Sequence, residues 1–390
     1  TVMTELKKRE IWIDNVKVIA CILVVLGHFF QSMTKAGILP ANDLYKWFNQ
    51  TIYYFHVPLF FICSGYLYQK LSRVEDAHNW GKNVLKKALN LGVPYFTFSF
   101  STWLLKTVFS GSTNDKIGGL FDTLFLHPTS PYWYLYALFF IFLITPTFRN
   151  RKMAGASLAV AACMKALGII GGGYGIQAIS YILSNEIWFI IGMCLSAFTL
   201  KDYIVKRKII VPIITGVVFI AVSVLVYKAD TQNGFISFLL GLIACIAVVM
   251  LVVEIFEYRK QSVIFGILAK YTMPIFVMHT LFAALFRTVL FKAGIQNGAV
   301  HVALGIAISF VGPIFAAWIM IFLGKSIGVD QFDISMFFIS CNRVEYITVI
   351  TFQLAVQNGL FFCSIKVVTV DLCVSEHYLN GVIAGATGLS

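Results

Sequence analysis

Nine ionisable side chains of this 390-residue chain lie within otherwise apolar stretches: Asp14, Lys17, His28, His56, Lys106, Lys165, Glu186, His279 and Arg287. A charge in such a setting costs about 2.5–3.5 kcal/mol to insert into a bilayer, so each position is a candidate for chemistry or for a buried pairing. Lys17 and His28 are the most informative. They stand eleven residues apart, about 20° beyond three full helical turns, so both fall on one helix face, separated by a rise of about 16 Å. Asp14 lies three residues before Lys17, on nearly the same face, and can pair with it. One helix thus presents a cation near one membrane surface and an imidazole toward the other. Imidazole serves as a general acid or base and an ammonium as a point charge. The spacing alone names no reaction.

Plainer readings stand beside each candidate. Lys17 can be a lysine snorkelling to the interface, and His28 a hydrogen-bonded core histidine. His56 and Pro58 can simply break a helix, with His56 bonding a freed carbonyl. Glu186 can orient His28 or pair with Arg287. His279 can be a second acid/base or a structural partner. Lys106 and Lys165 fit helix ends or bundle-interior pairs, and the glycine-rich run Gly171 to Gly175 fits a turn better than a phosphate cradle. The histidines are dispersed, no His-Glu-x-x-His pattern occurs, and no metal is expected. No Cys-x-x-Cys occurs among the eight cysteines, and Cys21, Cys63, Cys163, Cys194 and Cys245 fall in apolar runs, as buried free thiols do.

The elements that must position these groups are membrane helices. The chain is 59% hydrophobic and 12% charged, with mean hydropathy +0.82. Those values exclude a soluble globular domain, a disordered chain and a disulfide scaffold. An all-α, polytopic bundle is expected, with spans at about 15–33, 49–68, 88–109, 132–148, 154–170, 178–199, 209–227, 234–256, 271–291 and 299–324. Asp14 and Lys17 interrupt the start of the first segment and no small-residue cleavage site follows it, so it reads as a retained span. The net charge of +12 does not indicate nucleic acid, because the basic residues are scattered through short loops. Nineteen Lys and Arg fall on one set of alternating loops and five on the other, which predicts a cytoplasmic N-terminus. Residues 1–325 then form the membrane domain. For residues 326–390, whose 346–363 stretch is apolar but broken by Gln353, Gln357 and Asn358, an eleventh span, a re-entrant segment and a loosely ordered tail all remain open.

Several of these segments resemble one family. Lys17-x10-His28 is similar to the basic-x10-histidine signature in the first span of the acyltransferase 3 family of integral membrane acyltransferases, with Lys where Arg is commoner. Phe55-His56-Val57-Pro58-Leu59-Phe60-Phe61 through Leu67 resembles the second-span motif. Trp133-Tyr134-Leu135, Glu186-Ile187-Trp188-Phe189 through Met193, and Ala269-Lys270-Tyr271-Thr272-Met273-Pro274 through His279 resemble later motifs in the same order. The resemblance covers about residues 10–325 and is strongest to the branch of fucose O-acetylase type.

What the resemblance implies is transfer of an acyl group, most often acetyl, from acyl-CoA (acetyl-CoA) to a hydroxyl of a cell-envelope or exported glycan, in the cell membrane. Lys17, with Asp14 beside it, would meet CoA phosphates near the inner surface. His28 would act as general base, with His279 and Glu186 as further catalytic candidates. The competing expectation is a multi-span transporter or flippase for an envelope precursor, since intramembrane charges fit a carrier too. No repeat of the span pattern between the two halves supports that alternative. A non-catalytic membrane sensor is a third class.

Overall fold

Helix starts are written locally in the sequence. The side-chain oxygens of Asn42, Asp76, Asn150 and Ser262 each accept the backbone N–H three residues on, at 2.7–3.3 Å, satisfying a donor that the first turn leaves free. The helices that follow were analysed in a computed structural model, which describes residues 10–326 and 346–371 except 73, 75, 109–117, 172–176, 201–203, 205–208, 257–258 and 358–359. Lys7, Lys8, Arg9, Lys116, Lys206, Arg207, Lys208 and most of the Gly171–Gly175 run therefore lie outside the described residues.

Thirteen helices are described: α1 (Ile11–Lys35), α2 (Asp43–Tyr53), α3 (His56–Leu71), α4 (Ala77–Lys87), α5 (Val93–Val108), α6 (Trp133–Ile144), α7 (Arg151–Ile170), α8 (Gln177–Ala197), α9 (Ile210–Lys228), α10 (Gly234–Phe256), α11 (Val263–Lys270), α12 (Thr272–Lys292) and α13 (Gly298–Ser326). Seven of them, α1, α7, α8, α9, α10, α12 and α13, are long and apolar enough to cross a membrane. Each of the ten expected segments falls on a helix, and the bundle is all-α.

Three segments differ in detail from the sequence expectation. The 49–68 segment is not one helix: the chain breaks at Tyr54 and Phe55, and α2 is a separate amphipathic helix. Pro58 sits in the first turn of α3, where its missing N–H costs nothing. A π-helical turn, Ala88–Gly92, joins α4 to α5 ahead of Pro94, so the 88–109 segment continues an amphipathic helix that the apolar pattern did not show. α6 has only 12 residues, about 18 Å of helix against a hydrocarbon thickness of about 30 Å. Extended backbone completes it. The Thr145 carbonyl accepts from Tyr68 (2.8 Å), Thr147 Oγ1 accepts from the Val74 N–H (3.1 Å), and the Phe148 N–H donates to Gln69 (2.8 Å). Irregular backbone at membrane depth is tolerated where protein satisfies it in this way.

α8 lies at the centre, packed on α3, α7 and α6, while α1 packs on α3, α10, α11 and α12. The α3–α8 crossing is the closest. A Cβ added at Gly65 would meet the Phe189 carbonyl, and one at Gly192 would meet the Ile62 carbonyl. Mutual small residues of this kind let two membrane helices approach backbone to backbone.

Thr1–Trp318 forms one compact unit and Ile319–Ser390 a second. In the second, β1 (Tyr346–Gln357) and β2 (Leu360–Asp371) pair antiparallel, with Gln357 opposite Leu360. The apolar 346–363 stretch falls within this hairpin.

Candidate active site

α1 runs unbroken from Ile11 to Lys35, so the Lys17–His28 stripe exists as the spacing predicts. Its two ends have different surroundings. At the far end, three histidines converge from three helices. The rings of His28 and His279 of α12 are 5.5 Å apart between centroids, and Tyr53 stands edge-on to both His28 (6.4 Å) and His56 of α3 (4.6 Å).

Backbone carbonyls orient two of the three rings. His56 Nδ1 donates to the Ile52 carbonyl at 2.6 Å, the bond expected of a histidine beside a helix break. His279 Nδ1 donates to the Ile275 and Phe276 carbonyls at 3.0 and 2.9 Å. A carbonyl only accepts, so Nδ1 carries the proton in each neutral ring and Nε2 keeps its lone pair. His279 is buried, and its Nε2 has no hydrogen-bond partner among the described residues. Such an atom is costly unless a neighbour or a ligand uses it. His28 is half-buried, and its Nε2 hydrogen-bonds with Ser130 Oγ at 3.3 Å. Ser130 lies just before the short α6, so the irregular entry to that helix is what brings a hydroxyl to His28.

His28, His56 and Ser130 share the wall of a cavity of about 670 Å3, within the range of small-molecule sites. Its lining mixes aromatic rings (Tyr53, Trp133, Trp188) with amides (Asn49, Gln50, Asn185), a surface able to stack on and hydrogen-bond a polar ligand. α2 contributes much of this wall. The apolar pattern merges α2 with α3 and reads His56 as a helix breaker, so that histidine's place beside His28 is not legible in it. The family-like segment Phe55–Leu67, with its early His56-x-Pro58, was the signal that pointed there.

The remaining sequence candidates are elsewhere. Glu186 is buried, and its Oε1 accepts from Thr145 Oγ1 at 2.6 Å. It lines no part of the cavity and hydrogen-bonds with neither His28 nor Arg287. Arg287 instead donates to the carbonyl and hydroxyl of Ser32 on α1, at 3.1 and 2.5 Å. Asp14 and Lys17 lie at the opposite end of α1, both close enough to Cys63 of α3 for their charges to act on it. Nearby, Lys70 of α3 forms an ion pair with Glu10. Among the described residues no cluster of histidine, cysteine or carboxylate groups could hold a metal ion.

Comparison with known proteins points to the same family. A family model described as an acyltransferase domain, that of the acyltransferase 3 family, matches residues 10–320. The curated relatives include two proteins named nodulation protein NolL. One, from Mesorhizobium japonicum, is 29% identical over 136 residues, 35% of either chain. The other, from Sinorhizobium fredii, is 33% identical over 150 residues, 36% of this chain and 37% of its own. The matched region thus spans about a third of the length of these relatives. No solved structure matches. With a match over residues 10–320 and seven helices long and apolar enough to cross a membrane, the chain belongs to the acyltransferase 3 family.

Proposed function

We propose that the protein transfers an acyl group, acetyl by the family resemblance, from acyl-CoA to a hydroxyl of a cell-envelope or exported glycan, with His28 as general base. The observation that carries this reading is the His28–His279 pair, 5.5 Å apart, with His28 on the wall of an aromatic- and amide-lined cavity. The acceptor hydroxyl enters from the cavity and gives its proton to the His28 imidazole as its oxygen attacks the acyl carbonyl. The C–O bond forms, the C–S bond breaks, and His28 returns the proton to the departing thiolate. The buried His279, its Nδ1 proton committed to carbonyls, has an Nε2 lone pair without a hydrogen-bond partner among the described residues and steadies the imidazolium from the neighbouring ring. Glu186 is a positioning residue: through Thr145 it fastens the end of α6, whose other end presents Ser130 to His28.

The donor enters from the Lys17 end. Lys17 meets CoA phosphates as a point charge, Asp14 sets its position, and the pantetheine arm runs along α1 toward His28. Lys17→Ala is expected to raise KM for acyl-CoA with a smaller effect on kcat, and Lys17→Arg to retain most activity, since both groups bind phosphate. Lys17→Glu should be worse than Lys17→Ala. Steady-state kinetics on purified variants, each checked by size-exclusion chromatography, decide between this role and simple pairing. If the swapped pair Asp14→Lys with Lys17→Asp recovers wild-type KM, Lys17 serves only to let the helix insert.

This arrangement requires a cytoplasmic N-terminus in the cell membrane and an outward-facing cavity, an orientation supported by the nineteen-to-five loop bias of Lys and Arg. Relative to the parent protein, a cysteine placed at Ser112, outside the described residues, should gain labelling by an impermeant thiol reagent in intact cells. One placed at Asn83 of α4 should not. The reverse pattern would overturn the orientation and move the donor to the other face.

A further inference from the structure

The cavity that holds His28 is also electrically one-sided. Its described lining contains Lys46 and Lys165 but no aspartate or glutamate. Lys46 is exposed at the rim of α2, near Asp43. Lys165 is different. It lies on α7, a helix that turns Val160, Leu167 and Ile170 outward, 53–82% exposed, as a lipid-facing surface does. Its one internal cation turns the other way. Lys165, Gly168 and Ile169 are spaced i, i+3, i+4, so one face of α7 forms cavity wall.

The ammonium is held there by neutral groups. Lys165 Nζ donates to the Ser184 carbonyl at 3.0 Å and stands 5.5 Å from the Phe238 ring centroid, within cation–π range. Ser184 and Phe238 both line the cavity. An ammonium has three donors, and among the described residues no carboxylate forms an ion pair with it. A snorkelling lysine would carry its head away to the interface; this one is anchored at a polar pocket. A half-buried cation with donors to spare, in a cavity whose described lining holds no carboxylate, is a place for an anion supplied from outside.

We propose that Lys165 is an anion subsite of the acceptor cavity, so that the preferred acceptor glycan bears a carboxylate or phosphate group near the hydroxyl that is acylated. The inference rests on the acyltransferase reading of the same cavity and adds the charge class of its acceptor. An acidic group seated on Lys165 would fix the glycan's register and present one hydroxyl to His28, which lines the same cavity, in place of several equivalent ones.

The test compares three matched oligosaccharides: one neutral, one with a uronic acid in place of one hexose, and one phosphorylated on that hexose. The wild-type protein should show kcat/KM at least about tenfold higher for one or both acidic acceptors than for the neutral one, as expected of a charge-assisted hydrogen bond. Whichever acidic arm gains identifies the anion. Lys165→Met should collapse that ratio, and Lys165→Arg should retain it. Equal acylation of neutral and acidic acceptors by the wild type would overturn the proposal, whether or not the methionine variant folds. So would a Lys165→Met protein that keeps the ratio, or one whose sole defect is a raised KM for acyl-CoA, which would assign the cation to the donor. Failure of the wild type to acylate any of the three would remove the underlying reading as well, a result distinct from acylation without charge preference.

Discussion

His28→Ala is expected to lower acyl transfer by about 10²–10⁴-fold, the usual contribution of a positioned general base, while the protein stays folded and inserted. The two halves of that expectation have separate grounds. The catalytic loss follows from the position of the ring, half-buried on the cavity wall, 3.3 Å from the Ser130 hydroxyl and 5.5 Å between ring centroids from His279. The tolerance follows from what the ring holds in place, which is little. Its one hydrogen bond among the described residues is a 3.3 Å contact with a serine hydroxyl, and the space it leaves is continuous with the cavity, so water can fill it. Initial rates at saturating donor and acceptor, alongside size-exclusion chromatography, check both halves. Turnover near wild type would remove His28 from the chemistry.

The second large effect is structural. Gly65→Ala and Gly192→Ala should each cost roughly 3 kcal/mol or more, and the leucine variants should fail to accumulate as monodisperse protein. In both cases the added methyl would be driven into a main-chain carbonyl of the facing helix, Phe189 for Gly65 and Ile62 for Gly192. A carbonyl cannot rotate away as a side chain can, so α3 and α8 must separate. Both helices line the cavity, through His56 and Pro58 on one and Ser184, Asn185 and Trp188 on the other. Separating them would displace the cavity wall. Thermal unfolding of the purified variants followed by intrinsic tryptophan fluorescence reads the loss. A control at Gly216 of α9, where an added Cβ meets nothing within 4 Å, should be nearly neutral.

Much of this architecture was legible in the sequence because the bilayer imposes a simple rule, apolar runs of about 20 residues. Each expected segment falls on a helix, and α7, short and glycine-flanked, is 20 residues long. Hydropathy is blind to the breaks. It merged α2 with α3, because Ile52 to Phe55 are as apolar as the span they precede. It also read 132–148 as one span, although α6 ends at Ile144 and hydrogen bonds from the end of α3 support the rest. The candidate site was legible along one helix and opaque between helices. The eleven-residue spacing put Lys17 and His28 on one face, but nothing in the spacing of α1 brings His279 from α12 to within 5.5 Å of His28. Glu186 shows the same gap in reverse. As a buried carboxylate it merited suspicion, yet its partner is Thr145, a residue no periodicity connects to it. Lys165 reads in the sequence as a helix-end or bundle-interior lysine, and only the contacts of its ammonium with Ser184 and Phe238 on neighbouring helices set it at the cavity.

The central claim is that this bundle moves an acyl group to a glycan hydroxyl and does not move the glycan itself. The most direct test is purified wild-type protein in lipid nanodiscs, given acetyl-CoA labelled in the acetyl group and a panel of envelope glycans, with label measured in the isolated glycan. The account predicts label in at least one acceptor, ester-linked and so released by mild base, and its absence with the His28→Ala protein. No labelled acceptor from folded wild-type protein, together with passage of a glycan precursor across the bilayer when the same protein is placed in liposomes, would contradict it and favour a carrier.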